Sequence, residues 1–580
     1  MTTSPNMPGY KLPVNPEKNQ GKLSQGFVTP KQDRIPQVHC VPARRVLPII
    51  FIPGIMGSNL RVSADRQARL ELENNIAWRP DNSSVTIGQY NDKPHERQLR
   101  LDPDVTEVDS YDPKNNPTGD LNESSDRRNK NIIYGGGYRG WGQSDGPLLK
   151  PDPPGVKNRR TQNQKARERG WGEIFYGSYE NILTICESKL NSAFTGGVMD
   201  LYLKKNIEGV SPLKWNAHPE PSMAALDEIT MREAVKGCWF PVHAMGYNWL
   251  RGNAESGVVL AGRITDLINK YVSDGFECEK VILITHSMGG LVARGIVHPE
   301  IGKIADKVLG VVHGVMPAMG AGAAYKRMRC GVEGSYTGVA SEITAGVLGD
   351  NAADVTAVLA NSQGAMELLP SQFYGSHWLE LKRDGAIVKS WPEKCPYEEI
   401  YKVRGKWFSL LREQWINPAG AKDGGFLRAS KLLDEARKFH EKIDGTYHMQ
   451  SYAHYGADIN RKAWHKVVWE VGGGGELRDP ESLKTISDNR KGSLQVMEPR
   501  FEKGDRLTSP YRLNMLDAAE PGDQTVPLHS ADAQLRSGKF KGIFRQVGYE
   551  HQASYSDPVV LASTIYVLFK IISTMKWPKP

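Results

Sequence analysis

Cysteine is scarce in this chain and follows no pattern. Six cysteines occur among 580 residues, and no two of them form a CxxC pair: Cys40, Cys186, Cys238, Cys278, Cys330 and Cys395. This spacing excludes a disulfide framework, a cysteine-rich zinc module and a dithiol redox centre. We interpret the cysteines as small buried residues of a protein made in a reducing compartment.

Long apolar runs are also missing. The first 26 residues have no apolar segment of the kind that secretory signals need, so we expect synthesis in the cytoplasm without a signal peptide. The one long apolar run, residues 559–573, is interrupted by Ser563, Thr564 and Lys570. It is too short and too polar to span a membrane, and we expect a buried terminal helix there.

The charge is positive but diffuse. Formal net charge is +8, with 74 Lys and Arg beside 66 Asp and Glu, and no long basic run occurs. Without such a run we expect no nucleic-acid partner. An anionic membrane surface and an ordinary soluble surface both fit this pattern, and the second is the more common.

Short apolar runs alternate with helical spacing, which predicts an α/β fold. The runs at residues 46–54, 238–249, 281–285 and 308–315 are typical of strands in a parallel sheet. Between them, apolar residues recur at helical intervals. Strand-like runs return at 512–516 and 543–547. We therefore expect a mostly parallel central sheet flanked by helices.

Changes in composition divide the chain into one core with two large insertions. The expected parts are a mobile N-terminal arm at 1–40, a core from 41–60, 171–320 and 505–580, a loop-rich first insertion at 61–170, and a mainly helical second insertion at 321–504. Each insertion follows a predicted core strand. We expect both to leave the carboxyl edge of the sheet and to form a cap there.

The strongest chemical signal is a strand that runs directly into a helix at residues 281–297, VILITHSMGGLVARGIV. This context is that of the nucleophile elbow of the α/β-hydrolase fold, in which a tight turn projects a serine above the sheet. Gly289 and Gly290 supply the small residues needed where strand and helix nearly touch. Thr285 departs from the glycine usual at the first motif position. The pattern predicts Ser287 as a nucleophile.

A serine nucleophile needs a histidine to take its proton and a carboxylate to orient the histidine. In this fold they follow the serine in the order acid, then base. Asp523 lies in the turn of EPGDQTVPLHS, and His551 lies in GYEHQASYSD beyond the next strand-like run. The order therefore favours Asp523 as the acid and His551 as the base.

Three rivals lie close in sequence. His529 could replace His551, but no strand separates it from Asp523. Asp517 and Asp532 could replace Asp523, but the first falls too early and the second falls in a predicted short helix. All three are less favoured by their placement.

The negative charge that develops on an ester oxygen needs amide donors. The N–H of Met288, directly after the serine, is one candidate. FIPGIMGSNL follows the first core strand, and its glycines allow the loop to curl toward Ser287. We expect Ile55 or Met56 to provide the second donor.

We expect no cofactor and no metal. The acidic stretch in the first insertion matches no calcium loop and indicates a solvated loop; its members are Asp102, Asp104, Glu107, Asp109 and Asp112. His243 and His313 lie in strand-like runs and are more typical of a core than of a metal site.

Three segments together carry a family resemblance: FIPGIMGSNL, THSMGG and GDQTVP, in that order. The first and third resemble lecithin:cholesterol acyltransferase-like and GPI inositol-deacylase-like lipases. With PVHAMGYNWLRGN, VHGVMPAMGAGAAYKRM, GAMELLPS and EHQASY, the set resembles bacterial type VI secretion lipase effectors with a GPI inositol-deacylase-like core.

This resemblance implies a phospholipase A with Ser287, Asp523 and His551 as its triad, and with Ile55 or Met56 and Met288 in its oxyanion hole. It further implies delivery into the periplasm of a target cell. The implied partners are a phospholipid membrane, a cognate immunity protein and a spike or tube component of the secretion system. A cytosolic esterase or neutral-lipid lipase, and a catalytically silent binding protein with the same fold, remain alternatives.

Overall fold

The computed structural model describes residues 44–72, 75–81, 88–110, 162–333, 346–499 and 510–577, with the backbone of three earlier strands. Those strands, Val14–Pro16, Lys22–Gly26 and Gln37–Val41, form an antiparallel sheet within the predicted N-terminal arm. The rest of that arm and much of the first insertion lie outside the described residues.

Six parallel strands form the central sheet, which confirms the predicted α/β class. They are β1 (Ile49–Ile52), β2 (Val242–Ala244), β3 (Val281–His286), β4 (Val308–Gly314), β5 (Ser451–Gly456) and β6 (Phe540–Gln546). Their order is β2-β1-β3-β4-β5-β6, and every neighbouring pair is parallel. From β1 the chain first adds β2 on one side and then β3 to β6 on the other, so the direction of strand addition reverses between β1 and β3. Open parallel sheets bind ligands at such a point.

Each face of the central sheet buries its own apolar core. On β1, Ile50 and Ile52 join one core, whereas Ile49 and Phe51 join the other. This alternation is the two-residue period of a strand that is covered on both faces.

Five longer helices have clear packing partners: α1 (Tyr176–Asn191), α2 (Asn253–Ser273), α3 (Gly289–Val297), α4 (Phe426–Ile443) and α5 (Pro558–Ile572). α2 and α3 cover one face of the sheet, and α1 and α5 cover the other. α5 is the predicted buried terminal helix. No helix in the described part of the chain is long and apolar enough to cross a membrane.

β5 corrects the predicted extent of the second insertion. Its sequence, SYAHYG, lies inside residues 321–504, yet it pairs with β4 and β6 in the central sheet. All six of its residues are buried, including the polar Ser451 and His454. Those polar residues interrupt the apolar pattern, so hydrophobicity alone does not reveal this strand.

The second insertion is not mainly helical either. Five of its strands join Tyr511–Met515 in a second six-stranded sheet, which is ordered Ala386–Trp391, Leu379–Arg383, Val467–Gly473, Tyr511–Met515, Ser493–Met497 and Lys484–Asp488. One of its five strand pairs is parallel, and the other four are antiparallel. In the parallel pair, Leu379–Arg383 precedes β5 in the chain and Val467–Gly473 follows it. The strand predicted at 512–516 belongs to this sheet and not to the core.

The remaining elements are short. Other helices and helical turns are Ala64–Arg69, Pro94–Arg100, Gln162–Glu168, Trp171–Glu173, Leu201–Asn206, Pro212–Trp215, Glu228–Val235, Ala305–Lys307, Gly322–Cys330, Ala352–Leu359, Gln363–Met366, Tyr397–Tyr401, Glu413–Ile416, Leu528–Ala531, Ala533–Arg536 and Ser554–Ser556. Other strands are Arg45–Val46, Leu60–Val62, Ile76–Trp78, Thr106–Val108, Phe194–Thr195, Val198–Met199, Cys238–Trp239, Asp458–Ala463 and Glu520–Gly522.

The histidines predicted to be core residues are buried in the central sheet. His243 on β2 has its Nε2 2.8 Å from the Tyr271 hydroxyl. His313 on β4 contacts the rings of Tyr447 and Phe540, and neither of its ring nitrogens has a hydrogen-bond partner among the described residues. Burial lowers the pKa of His313 to about 3.

His313 should therefore make the protein sensitive to acid. Below pH 6.5 the unfolded chain protonates this histidine while the folded protein does not, until the pH approaches 3. Over that window the free energy of unfolding should fall by roughly 1.4 kcal/mol per pH unit because of this group. His313→Leu should remove that part of the slope, as measured by urea unfolding at a series of pH values. Parallel pH profiles for the variant and the parent protein would contradict the assignment.

Candidate active site

The turn between β3 and α3 holds Ser287 in a conformation that is uncommon for residues other than glycine. Ser287 has φ 51°, and its N–H donates to the Gly314 carbonyl at 2.8 Å. A Cβ on Gly289 would lie 2.5 Å from the carbonyl oxygens of Ile52 and Pro53. Only glycine fits at that contact, which is the close strand–helix approach expected from the sequence.

Thr285 replaces the usual first glycine of the motif without a clash in the turn. It is fully buried on β3, and its Oγ1 donates to the Val312 carbonyl of β4 at 3.4 Å. The departure from the common pattern is therefore accommodated by the neighbouring strand.

The structure brings the three predicted catalytic residues together in one hydrogen-bonded series. His551 Nε2 lies 2.8 Å from Ser287 Oγ, and His551 Nδ1 lies 2.9 Å from Asp523 Oδ2. The main chain joins the same two loops, since the His551 N–H donates to the Asp523 carbonyl at 2.8 Å. In this arrangement the imidazole faces the serine with one nitrogen and the carboxylate with the other.

Asp523 is fully buried, and its second carboxylate oxygen is occupied by the main chain. Its Oδ1 accepts the N–H groups of Thr525 at 3.1 Å and Val526 at 2.7 Å. These bonds stabilise the charged carboxylate and leave Oδ2 for the histidine. Gly456, at the end of β5, packs against the acid so closely that a Cβ there would lie 2.6 Å from the Asp523 Cβ.

The rival residues have other partners. His529 Nε2 lies 2.7 Å from the Tyr374 carbonyl, and its ring stacks on His465. Asp532 accepts from the Tyr455 hydroxyl and from Arg545. Asp517 lines the cavity above the serine but makes no hydrogen bond to Ser287 or His551.

The loop after β1 forms a tight turn with free amide groups beside the serine. The Gly57 N–H donates to the Gly54 carbonyl at 3.0 Å, and Met56 has φ 60°. The N–H groups of Ile55, Met56 and Met288 donate to no acceptor among the described residues. Unpaired, fixed amides of this kind are what an oxyanion requires.

The residue that supports this turn was not predicted from the sequence. Trp78, in the first insertion, donates its Nε1–H to the Met56 carbonyl at 2.6 Å. Its ring is almost fully buried and packs edge-on against Trp249. No motif surrounds Trp78, so only the contact itself reveals the role.

His286 was missed as well, although it precedes the nucleophile. Burial, helped by the neighbouring His551, lowers the pKa of His286 to about 3, so its ring is neutral near pH 7. Its Nε2 lies 3.0 Å from the His551 carbonyl, which can only accept, so Nε2 carries the proton. Nδ1 then accepts from the Tyr179 hydroxyl at 3.1 Å. These hydrogen bonds connect the loop that carries His551 to the strand that leads into Ser287.

A cavity of about 610 Å³ opens above Ser287 and His551. Ile55, Met56 and Trp78 form one part of its wall. The second insertion supplies much of the rest, including the apolar side chains Ala321, Ala323, Ala324, Met328, Leu348, Leu359, Ala365 and Leu368. The volume and lining are in the usual range for a pocket that holds a small organic ligand.

The acidic stretch that resembles no calcium loop pairs with arginines wherever the structure describes it. Asp102, Asp104, Glu107 and Asp109 contact Arg66, Arg428, Arg61 and Arg79, respectively, and Asp112 lies outside the described residues. Within the described ranges, no group of three or more His, Cys, Asp or Glu side chains is arranged to hold a metal ion. The five cysteines with described side chains are free thiols.

Comparison with solved structures identifies a relative over nearly the whole chain. One protein chain of "The crystal structure of Tle4-Tli4 complex" superposes on this chain with a TM-score of 0.70 and 29% sequence identity. The match covers 92% of this chain and 99% of that chain. This chain resembles a type VI secretion lipase effector. The resemblance read from the sequence motifs is thereby confirmed. No protein-family model and no curated protein matches the chain.

Trp78→Phe should slow turnover by loosening the turn at Met56. The variant keeps an aromatic ring but loses the indole N–H, so the Met56 carbonyl loses its partner. We expect kcat for a soluble ester to fall by about tenfold, less than the 10²–10³-fold cost of removing an oxyanion donor itself. KM should change little.

Trp249→Phe is the matched control. Trp249 is fully buried against Trp78, and its Nε1 has no hydrogen-bond partner among the described residues. Steady-state kinetics should therefore show a normal kcat for Trp249→Phe. Equal losses in the two variants would assign the effect to ring packing and not to the hydrogen bond.

Proposed function

We propose that the chain is a serine phospholipase A with an α/β-hydrolase core, acting as an antibacterial toxin delivered by type VI secretion. One observation carries the chemistry: the hydrogen-bonded series from Ser287 through His551 to Asp523 at the carboxyl edge of a parallel sheet. The likeness to the Tle4–Tli4 structure over nearly the whole chain supports the lipase and effector assignment.

In the proposed reaction, His551 Nε2 takes the proton of Ser287 as the serine oxygen attacks an acyl ester of a glycerophospholipid. Asp523 holds the imidazole in position and stabilises its charged form. The amides of Met288 and of Ile55 or Met56 would bind the oxyanion.

His551 then gives the proton to the departing alcohol, and the lysophospholipid leaves. Water, deprotonated by the same histidine, releases the fatty acid from the acyl-enzyme and restores the serine. No cofactor enters either half of this reaction.

In this proposal the core and the two insertions have different functions. The core comprises the central sheet and its flanking helices, including β5. The two insertions form a cap over the active-site cavity, and the small and apolar residues of the second insertion form the acyl-binding wall. We expect a membrane surface as the source of substrate.

The proposed partners follow from the effector assignment. The related structure contains Tle4 together with Tli4, which supports a cognate immunity protein as a partner of this chain. A spike or tube component would carry the enzyme into the periplasm of the target cell. The alternatives are a cytosolic esterase or neutral-lipid lipase, and a silent binding protein.

Ser287→Ala should abolish hydrolysis and leave the fold intact. Loss of a triad nucleophile typically lowers kcat by roughly 10⁴-fold or more. We expect the parent protein, but not the variant, to react with a fluorophosphonate probe, to cleave phospholipid and to kill bacteria when directed to their periplasm. Ser273→Ala, at an exposed serine at the end of α2, is the control and should retain all three properties. Substantial hydrolysis by folded Ser287→Ala would refute the assignment, and a parent protein that the probe does not label would favour the silent binding protein.

Asp523 and His551 should behave as one unit. If both serve the same serine, their separate losses cannot add, because either loss already removes the base or its orientation. The double variant Asp523→Ala/His551→Ala should therefore be hardly slower than His551→Ala alone in ester hydrolysis. Additive losses, or normal activity in Asp523→Asn, would show that the acid is a different residue.

A further inference from the structure

The wall of the active-site cavity has a polar side that the proposed hydrolysis does not use. Strand Asp458–Ala463 pairs with Glu520–Gly522, which leads directly into Asp523. Asn460 and Lys462 project from the same face of this strand, and both line the cavity. Arg461, between them, is not part of the cavity wall and reaches Gln524 instead.

Both of these side chains have unused hydrogen-bond donors. Lys462 forms no ion pair and no hydrogen bond with any described residue, and the Asn460 amide group donates to none of them. A lysine without a carboxylate partner, beside an amide with free donors, is a suitable arrangement for an anion. Water alone would also solvate these groups, so their position matters more than their exposure.

Two further cations that line the same cavity, Lys326 and Arg327, lie on the helix Gly322–Cys330. Lys326 and Arg327 share one carboxylate, Glu333, at 2.6 and 3.0 Å. Burial raises the pKa of Glu333, but Arg327 and Lys326 outweigh it and lower the pKa to about 2. Glu333 is therefore ionised, and the three side chains together keep one positive charge.

Arg327 also connects this charge to the triad. Its Nη2 donates to Thr525 Oγ1 at 3.2 Å, and the Thr525 N–H donates to Asp523 Oδ1. The guanidinium thus lies beside the loop of the catalytic acid. The cavity is not cationic throughout, because Asp517 and Glu550 also line it. The donors Lys462, Asn460 and Arg327 lie on the two elements that contact the loop of Asp523.

We propose that Lys462, Asn460 and Arg327 bind the phosphate of the glycerophospholipid substrate, while the acyl chain lies against the apolar wall of the second insertion. This inference rests on the proposed phospholipase activity and adds how the enzyme distinguishes a phospholipid from a neutral ester. A phosphate offers acceptor oxygens and negative charge to cationic donors. The phosphate is close in the molecule to the ester that Ser287 attacks, and the elements that carry the three donors contact the loop of Asp523.

Lys462→Met tests the proposal, with a short-chain phosphatidylcholine and a diacylglycerol of the same chains as substrates, both below their aggregation thresholds. Loss of a charged hydrogen bond should lower kcat/KM for the phosphatidylcholine by roughly 10-fold to 100-fold. The diacylglycerol should be cleaved as fast as by the parent protein, which also shows that the variant is folded. Lys541→Met, at an exposed lysine of β6 outside the cavity, should be normal on both substrates.

The other results would overturn the inference in distinguishable ways. Equal losses on both substrates would make Lys462 a structural residue, and no loss on either would remove it from substrate binding. A loss seen with phospholipid vesicles but not with the monomeric phosphatidylcholine would assign Lys462 to membrane-surface attraction instead. A parent protein that cleaves only the neutral ester would refute the phosphate site and the phospholipase but leave the serine hydrolase. If it cleaves neither ester, both proposals fall.

Discussion

The approach of α3 to the end of β1 is the contact on which the site depends. Gly289 packs against the Ile52 and Pro53 carbonyls at a distance that excludes any side chain. With helix and strand so close, the turn between β3 and α3 must be short, and Ser287 takes its positive φ. That backbone conformation costs of order 1 kcal/mol or more and persists because the packed sheet holds it on both sides.

The same contact places the other parts of the site. Because β1 ends beside the start of α3, the loop after β1 must turn away next to Ser287, which brings the Ile55 and Met56 amides to the serine. On the other side, His286 donates to the His551 carbonyl and so holds the loop that carries His551. Ser287, the free amide groups and His551 are thus all fixed relative to one short segment of β3. Rigid placement of this kind is what makes a preorganised site effective.

Strands, and the positions of site residues in the fold, were predicted correctly from the sequence where packing restricts the residue types that can occur, and incorrectly where it does not. β1, β3 and β4 were predicted because strands buried on both faces need continuous apolar side chains. The order of chain elements was enough to place Asp523 and His551 beside Ser287 and to set His529 aside. By contrast β5 was missed because Ser451 and His454 are polar yet buried, and burial of a polar side chain depends on tertiary context.

The second sheet shows a different limit. Its strands come from chain on both sides of β5, so their pairing brings together segments that lie far apart in sequence, and no local pattern encodes that meeting. Trp78 is a similar case, since an isolated tryptophan in a polar insertion gives no sign that its N–H meets the Met56 carbonyl.

A long segment of chain separates β5 from Asp523, yet Asp523 stays aligned with His551. Residues 457–522 leave the end of β5 and return to it, and closing such a loop costs conformational entropy. The return is secured at three places: Gly522 pairs with Asp458, Gly456 packs on Asp523, and Arg327 of the second insertion donates to Thr525. The wall of the cavity and the position of the acid are therefore parts of one packed unit. A shift of the helix Gly322–Cys330 would change the shape of the cavity and the contacts of the loop that carries Asp523 together.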